Sequence, residues 1–126
     1  MYWFSMGVVV LVSVGIILIG LMYLSNPRAA ANGFGLPLPE TGANMDWWLR
    51  LKGVRDVVSG LVVLALSMWA GPHLVGIALL VQSLTPLGDM ATVLAAKGSV
   101  RHAFGMHGLT AAFMIAAAVP LMMGAV

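Results

Sequence analysis

Long apolar stretches constrain this chain more than any other feature of its sequence. Residues 3–24 contain no charged side chain, and a helix of about 20 apolar residues is enough to cross a bilayer. Of the 126 residues, 61% are hydrophobic and only 8% are charged, whereas an average soluble domain carries about 25% charged residues. A soluble domain is therefore excluded, and so is a disordered chain, which needs low hydrophobicity and high charge.

Four apolar segments are separated by helix-breaking residues. Pro27 ends the first segment, Gly71 and Pro72 separate the second from the third, and Gly98 separates the third from the fourth, because proline and glycine interrupt helices. We predict helices at about residues 3–24, 46–70, 72–96 and 100–124 in a single integral membrane domain, residues 1–126. The predicted fold class is all-α, a transmembrane four-helix bundle with a long interfacial first loop.

The predicted helix ends also carry capping residues. Asn44 or Asp46 would cap the second helix and Ser99 the fourth. The alanines at residues 29–31 resemble a signal-peptide cleavage site, which is the alternative interpretation of the first segment. No Lys or Arg precedes that segment, and it is longer than a signal core of about 7–15 residues. We therefore expect the first helix to be retained.

The basic residues predict the orientation of the chain. All six Lys and Arg residues fall in or beside the first and third loops. Because cytoplasmic loops are enriched in Lys and Arg, both loops are predicted to be cytoplasmic and both termini to lie outside, in a plasma or inner membrane. Trp47 and Trp48 fit an aromatic belt at the cytoplasmic interface, and we interpret Arg50 and Lys52 as contacts to lipid headgroups.

Ionisable residues inside the predicted spans mark a candidate site. A charge near the centre of a membrane helix costs at least about 2.5 kcal/mol and usually faces the interior of the bundle. Asp89 lies on a face of the third helix that also carries Gln82, Thr85 and Thr92. The ionisable residues of the second and fourth helices lie in the same, cytoplasmic half: Arg55, Asp56, Arg101, His102 and His107. We therefore predict a polar pocket in the cytoplasmic leaflet.

Some of these ionisable residues are suited to acid–base catalysis on a lipophilic small molecule. The predicted acid and base groups are Asp56, Asp89 and His107. Arginines among the substrate-contacting residues would stabilise developing negative charge. The predicted substrate contacts are Arg55, Arg101, His102 and Gln82.

Structural roles are the alternatives for the same residues. Asp89 would form an ion pair with Arg55 or Arg101, and His107 would make only an interhelical hydrogen bond. The first loop, residues 26–43, is longer than the usual connection of about 2–8 residues between helices of a bundle. It is interpreted either as a lid over the pocket or as a plug that covers helix ends.

The sequence predicts no metal site and no cofactor. The chain has no cysteine, and His102 and His107 are about 140° apart around a regular helix, so they cannot bind a metal from one face. The dense basic stripe of a nucleic-acid-binding protein is missing as well. The predicted partners are the lipid bilayer and a lipophilic small molecule, and a homo-oligomer is compatible with the sequence.

Several short motifs resemble those of a known family. They are Asn26-Pro27, Phe34-Gly35-Leu36-Pro37, Gly53-x-Arg55-Asp56-x-x-x-Gly60, Asp89 and His107. The chain resembles a family of small four-helix integral membrane proteins from bacteria and fungi that is described as a domain of unknown function, and it looks like a relative of the DoxX-like group. The resemblance implies a membrane location and a four-helix fold, and it implies no reaction.

Three functions are compatible with the sequence. The first is a small membrane protein that binds a lipophilic molecule and carries out acid–base catalysis on it. The second is a non-catalytic accessory or structural subunit in which the polar residues hold the helices together. The third is a proton-coupled transporter, since intramembrane carboxylates often mark proton paths. The outer half disfavours the third function, because it offers no continuing chain of polar groups.

Overall fold

The computed structural model describes residues 1–124, which are largely helical and contain no β-strand. The predicted domain also includes residues 125 and 126, which lie outside the described residues. Short turns and one longer loop connect the helices, and the last helical run contains a π-helical segment at Ala103–Gly108. The helices are α1 (Tyr2–Ser25), α2 (Pro27–Asn32), α3 (Ala43–Trp69), α4 (Pro72–Gln82), α5 (Leu84–Ala95), α6 (Val100–His102) and α7 (Leu109–Met122).

Three helical segments are long and apolar enough to cross a membrane, which indicates an integral membrane protein. They are Tyr2–Ser25, Pro72–Ala95 and Val100–Met122. The second combines α4 with α5, and the third combines α6, the π-helical segment and α7. Helix α3 is longer, at 27 residues, but every stretch of 18 residues within it contains Lys52, Arg55 and Asp56. Its composition alone therefore does not mark it as a span.

The start of α3 differs from the predicted cap. The helix begins after Gly42 and has no side-chain cap, although Asn44 or Asp46 was expected there. Asp46 is engaged elsewhere, because its Oδ1 lies 3.1 Å from Nε of Arg28. This ion pair attaches α2 to the first turn of α3.

The third predicted helix is interrupted between α4 and α5. Pro86 has no N–H to donate to the carbonyl of Gln82, so one helical hydrogen bond is missing beside Ser83, where α4 ends and α5 begins. At the far end of α5, Lys97 has a φ of 56° and reverses the chain. Ser99 then caps α6 by accepting a backbone hydrogen bond at 3.3 Å, as the sequence predicted.

Glycines allow α1 and α3 to pack closely. A methyl group added to Gly20 would lie 2.7 Å from the carbonyl oxygen of Gly53, and one added to Gly53 would lie 2.7 Å from that of Gly20. Two helical turns further along, a methyl group on Gly60 would lie 2.6 Å from the carbonyl oxygen of Ser13. Since no side chain fits between the two backbones, the α3 face that carries Gly53 and Gly60 is held against α1.

The end of the molecule opposite the first loop has an apolar core. His73 connects α4 to α7 there, with Nδ1 2.8 Å from the carbonyl oxygen of Met122. Gly108, Ala112 and Ala116 are spaced four residues apart in the last helical run, but Ala112 and Ala116 are exposed and do not pack against another of the described helices. The buried core residues are Val8, Val9, Val63, Val75, Leu79, Met114, Ala117, Ala118 and Leu121.

Candidate functional site

Side chains from separate parts of the chain form a polar cluster near the end that carries the first loop. Asp56 belongs to it because it lies between Gly53 and Gly60 on the α3 face that packs against α1, and it is therefore buried. We use the name polar cluster for Tyr23 of α1, Phe34 of the first loop, Lys52 and Asp56 of α3, Asp89 of α5 and His107 of the π-helical segment.

Lys52 neutralises Asp56 within the cluster. Its Nζ lies 2.6 Å from Oδ2 of Asp56, and the carboxylate-bearing side chain is 12% exposed whereas that of Lys52 is 33% exposed. The same ammonium lies 4.3 Å from the ring centroid of Tyr23 and 5.2 Å from that of Phe34, within the range of cation–π attraction. One carboxylate and two aromatic rings thus surround the ammonium group.

His107 connects the cluster to the first loop. Its Nε2 lies 2.8 Å from the carbonyl oxygen of Phe34, and the two rings are 4.5 Å apart between centroids. The side chain of His107 is only 8% exposed. It lies in the π-helical segment, a local irregularity that is frequent at functional sites. Asp89 approaches from α5, with Oδ2 3.9 Å from Nδ1 of His107.

The hydrogen bond to Phe34 determines which nitrogen of His107 carries a proton. A carbonyl oxygen only accepts hydrogen bonds, so Nε2 must be the protonated donor. The nitrogen that faces Asp89, Nδ1, is then an acceptor in the neutral ring and a donor only in the imidazolium. The pair is attractive when it holds one proton, either on Nδ1 of His107 or on the carboxyl group of Asp89.

Asp89 is the accessible member of the pair. Its side chain is 32% exposed, four times the 8% of His107. Asp89 also interacts electrostatically with Lys52 and Asp56, and Tyr23 interacts with both carboxylates. The two carboxylates, the imidazole and the ammonium therefore act on one another, with Asp89 on the outer side.

The first loop is held over the cluster at Phe34 and Gly35. Next to the His107–Phe34 bond, the carbonyl oxygen of Gly35 accepts a 2.8 Å hydrogen bond from the backbone N–H of Ser99. Gly35 has a φ of 101°, and a methyl group there would lie 2.6 Å from Cβ of His102. Glycine is therefore needed at this position for both the conformation and the close approach.

Residues 13–121 match the family described as Domain of unknown function (DUF4267). The chain belongs to the DUF4267 family. No curated protein matches the chain, and no solved structure does either. The match covers every residue of the polar cluster, so the cluster is part of the DUF4267 domain.

The structure of this DUF4267 protein brings together the three residues predicted as acid and base groups, Asp56, Asp89 and His107. The four residues predicted as substrate contacts are not members of the polar cluster. Arg55 and Arg101 are exposed, and neither forms an ion pair within residues 1–124, so the predicted pairing of Asp89 with an arginine is replaced by its contact with His107. Two other predicted contacts are also outside the cluster: His102 bonds Ser99 (Nδ1 to Oγ, 2.8 Å), and Gln82 lies at the end of α4.

Two interpretations of the sequence need correction. Lys52 is not a simple headgroup residue, because it lies one turn before Asp56 on the α3 face that packs against α1. The polar stripe of α5 does not face the interior as a whole, since Thr85 and Thr92 are exposed. The buried side of α5 is centred on Val93, which lies about 100° from Thr92 around the helix.

Sequence reasoning missed Lys52, Tyr23 and Phe34 as cluster members. The spacing of four residues between Lys52 and Asp56 was a usable signal, because side chains at i and i+4 meet on a helix. Phe34 was marked only as part of the Phe34-Gly35-Leu36-Pro37 motif, and nothing marked Tyr23. The positions of these two residues depend on the packing of α1 and on the path of the loop.

Contacts between its own side chains and the first loop hold the polar cluster together in this DUF4267 structure. A surface concavity lies beside the first loop, lined by residues that include Arg28, Leu38 and Glu40, and thus away from Asp89. Among the described residues, no group of three or more His, Asp or Glu side chains is placed to hold a metal ion.

Proposed function

We propose that this DUF4267 protein is a transmembrane four-helix bundle with its basic end in the cytoplasm. Helix α3 would be the remaining span: its charged first half lies at the interface or against α1, and its second half is apolar. The first loop and the α5–α6 turn would then be cytoplasmic and both termini outside, following the distribution of Lys and Arg. We propose as well that this protein is related to the DoxX-like group of four-helix membrane proteins.

We propose further that the polar cluster binds a lipophilic small molecule that reaches Asp89 from the bilayer and undergoes acid–base chemistry there. The observation that carries the proposal is the Asp89–His107 pair. Its carboxylate is one-third exposed on a membrane-spanning helix, where an exposed charge is costly. A polar group of a ligand at Asp89 would remove that cost and receive or supply the proton shared with His107.

The other members of the cluster would have supporting roles. His107 would set the protonation of Asp89, and Lys52 with Asp56 would hold a fixed pair of charges beside it. Phe34, which contacts both His107 and Lys52, would cover the cytoplasmic side of the site. The first loop would thus serve as a lid, the alternative being a plug with no role in binding.

A non-catalytic accessory subunit is the second candidate. It is favoured by the contacts that already satisfy Asp56 and His107 within the chain, because such contacts also serve to hold helices together. Proton-coupled transport is the third candidate, and the buried apolar core from Val9 to Leu121 argues against it, since the buried polar side chains of α1, Ser5 and Ser13, are not ionisable.

The test is to identify what copurifies with the protein in a mild detergent by native mass spectrometry. We expect one lipophilic molecule per chain on the wild-type protein and its loss from Asp89→Asn. The matched control is Glu40→Gln, which neutralises an exposed carboxylate of the first loop and should retain the molecule. Equal retention by both variants would contradict the proposal, and loss of a copurifying protein from Asp89→Asn alone would support the accessory role.

A further inference from the structure

The charges of the polar cluster do not cancel without an added proton or ligand. Lys52 and Asp56 form a neutral pair at 2.6 Å. Asp89 is a second carboxylate, and the group nearest to its charge is His107, at 3.9 Å. The exposed Arg55 and Arg101 form no ion pair with it in the described part of the chain. With a neutral His107, the cluster therefore carries one net negative charge.

A net charge inside a membrane-spanning segment requires compensation, because the desolvation of an isolated ion is costly. Two kinds of positive charge can compensate Asp89. One is a proton, held on Nδ1 of His107 or on the carboxyl group itself. The other is the positive charge of a ligand placed against the exposed side of Asp89. The two exclude each other, since both together would leave an excess positive charge.

The cluster already shows how it accommodates an ammonium group. The Nζ of Lys52 lies against the rings of Tyr23 and Phe34, at 4.3 Å and 5.2 Å from their centroids, and beside the carboxylate of Asp56. Aromatic rings together with a carboxylate are the usual environment for binding an ammonium ion. Phe34 also packs against His107, the partner of Asp89, so one aromatic ring contacts both the ammonium group of Lys52 and the imidazole beside the second carboxylate.

We infer that the ligand of the proposed site is a lipophilic molecule with a single positive charge of the ammonium type, which binds Asp89 in exchange for one proton. This inference rests on the proposed binding function and specifies its ligand. The groups that act on Asp89 are His107 from the π-helical segment, Lys52 and Asp56 from α3 and Tyr23 from α1. An anionic ligand is disfavoured, because it would add a second negative charge to the cluster and would need a second proton for compensation.

The experiment uses probes that share one apolar tail, with the protein reconstituted in lipid nanodiscs. Dodecyltrimethylammonium carries a permanent positive charge and has no proton of its own to lose, and dodecanol is its neutral counterpart. Isothermal titration in two buffers of different ionisation enthalpy counts the protons released. We expect the ammonium probe to bind the wild-type protein more than about tenfold tighter than dodecanol, a difference of about 1.4 kcal/mol, with one proton released.

The affinity for the ammonium probe should fall as the pH is lowered. Because a proton and the probe compete for the same pair, lowering the pH should weaken binding of the ammonium probe, by up to about tenfold per pH unit for one proton. Asp89→Asn should abolish both the binding and the proton release. Glu40→Gln should change neither.

The outcomes separate this inference from the proposed function. Asp89-dependent binding of dodecanol as tight as that of the ammonium probe would overturn the inference and leave the proposed function standing. If both probes bind equally well to the wild-type protein and to Asp89→Asn, the inference is wrong. If Asp89→Asn also retains the copurifying lipophilic molecule, the proposed function is wrong too. Charge preference and proton release are measured on the wild-type protein, so the test stays decisive even if Asp89→Asn does not fold.

Discussion

His107 donates its Nε2 proton to the carbonyl oxygen of Phe34, 2.8 Å away and 73 residues earlier in the chain. This one hydrogen bond attaches the first loop to the last helical segment and turns the other ring nitrogen toward Asp89. The imidazole of His107 therefore takes part in two contacts at once: the attachment of the first loop and the pair with Asp89.

Replacing His107 should separate its structural role from its role at Asp89. His107→Ala leaves the Phe34 carbonyl unpaired and creates a cavity, so we expect a loss of about 1–3 kcal/mol in the free energy of unfolding. His107→Gln retains a donor and should lose less. Thermal unfolding in detergent measures both. His73→Ala is the control, since His73 makes a bond of the same length at an exposed site, and an equal loss there would contradict the prediction.

Replacing Lys52 should lower the free energy of unfolding, because it leaves the buried carboxylate of Asp56 without a partner. Breaking a buried ion pair on one side costs about 3–5 kcal/mol, and because Lys52 is one-third exposed we expect Lys52→Met to fall below that range. The double variant Lys52→Met with Asp56→Asn should recover part of the loss in the same unfolding assay. Lys97→Met, at an exposed lysine, should change stability by less than about 0.5 kcal/mol. Similar losses for both lysines would show that Lys52 is a surface residue.

Two glycines of α1 should respond differently to the same substitution. Gly20→Ala places a methyl group 2.7 Å from the backbone of α3, so the two helices must separate, at a cost of about 1–3 kcal/mol. Gly15 has open space around it, and Gly15→Ala should be neutral or stabilise the helix by up to about 1 kcal/mol. Unfolding of the detergent-solubilised variants compares them directly. Equal effects would mean that α1 and α3 are not in close contact.

The topology can be tested with single cysteines, because the natural chain has none. If α3 crosses the membrane, Glu40→Cys and Gly71→Cys lie on opposite sides. A membrane-impermeant maleimide should label Gly71→Cys in intact cells and label Glu40→Cys only after the cells are permeabilised. Lys97→Cys should behave like Glu40→Cys. Labelling of Glu40→Cys and Gly71→Cys from the same side would rule out the span.

Adding one methyl group at Gly35 should weaken the attachment of the first loop to Ser99. Gly35→Ala conflicts with the φ of 101° and with Cβ of His102 at 2.6 Å, so we expect faster hydrogen exchange at the amide of Ser99, which donates to Gly35. Gly33→Ala is the control, because Gly33 has a φ of −84° and a methyl group there would meet only an ordinary contact at 3.7 Å. Unchanged exchange in Gly35→Ala would mean that the loop is not held at this point.

Much of the candidate site follows from the sequence because ionisable residues are rare in apolar helices. The cost of exposing charges to lipid marked Asp56, Asp89 and His107 as interior residues. The structure buries Asp56 and His107 and leaves Asp89 one-third exposed at the edge of the same cluster. The same argument failed for Arg55. Neighbouring residues on a helix point about 100° apart, so Arg55 and Asp56 cannot both face α1, and long arginine side chains reach the interface instead.

The sequence by itself indicated that the protein is integral to a membrane, and it marked the proline and glycine positions that separate the long helical segments. Hydropathy and the positions of proline and glycine are local properties, so they need no knowledge of the fold. Only the tertiary structure decided that Lys52 lies against Tyr23 and Phe34, and that His107 bonds a loop carbonyl. These contacts join residues far apart in the chain, and they depend on how closely the glycines let α1 and α3 approach and on the path of the loop, which no local pattern specifies.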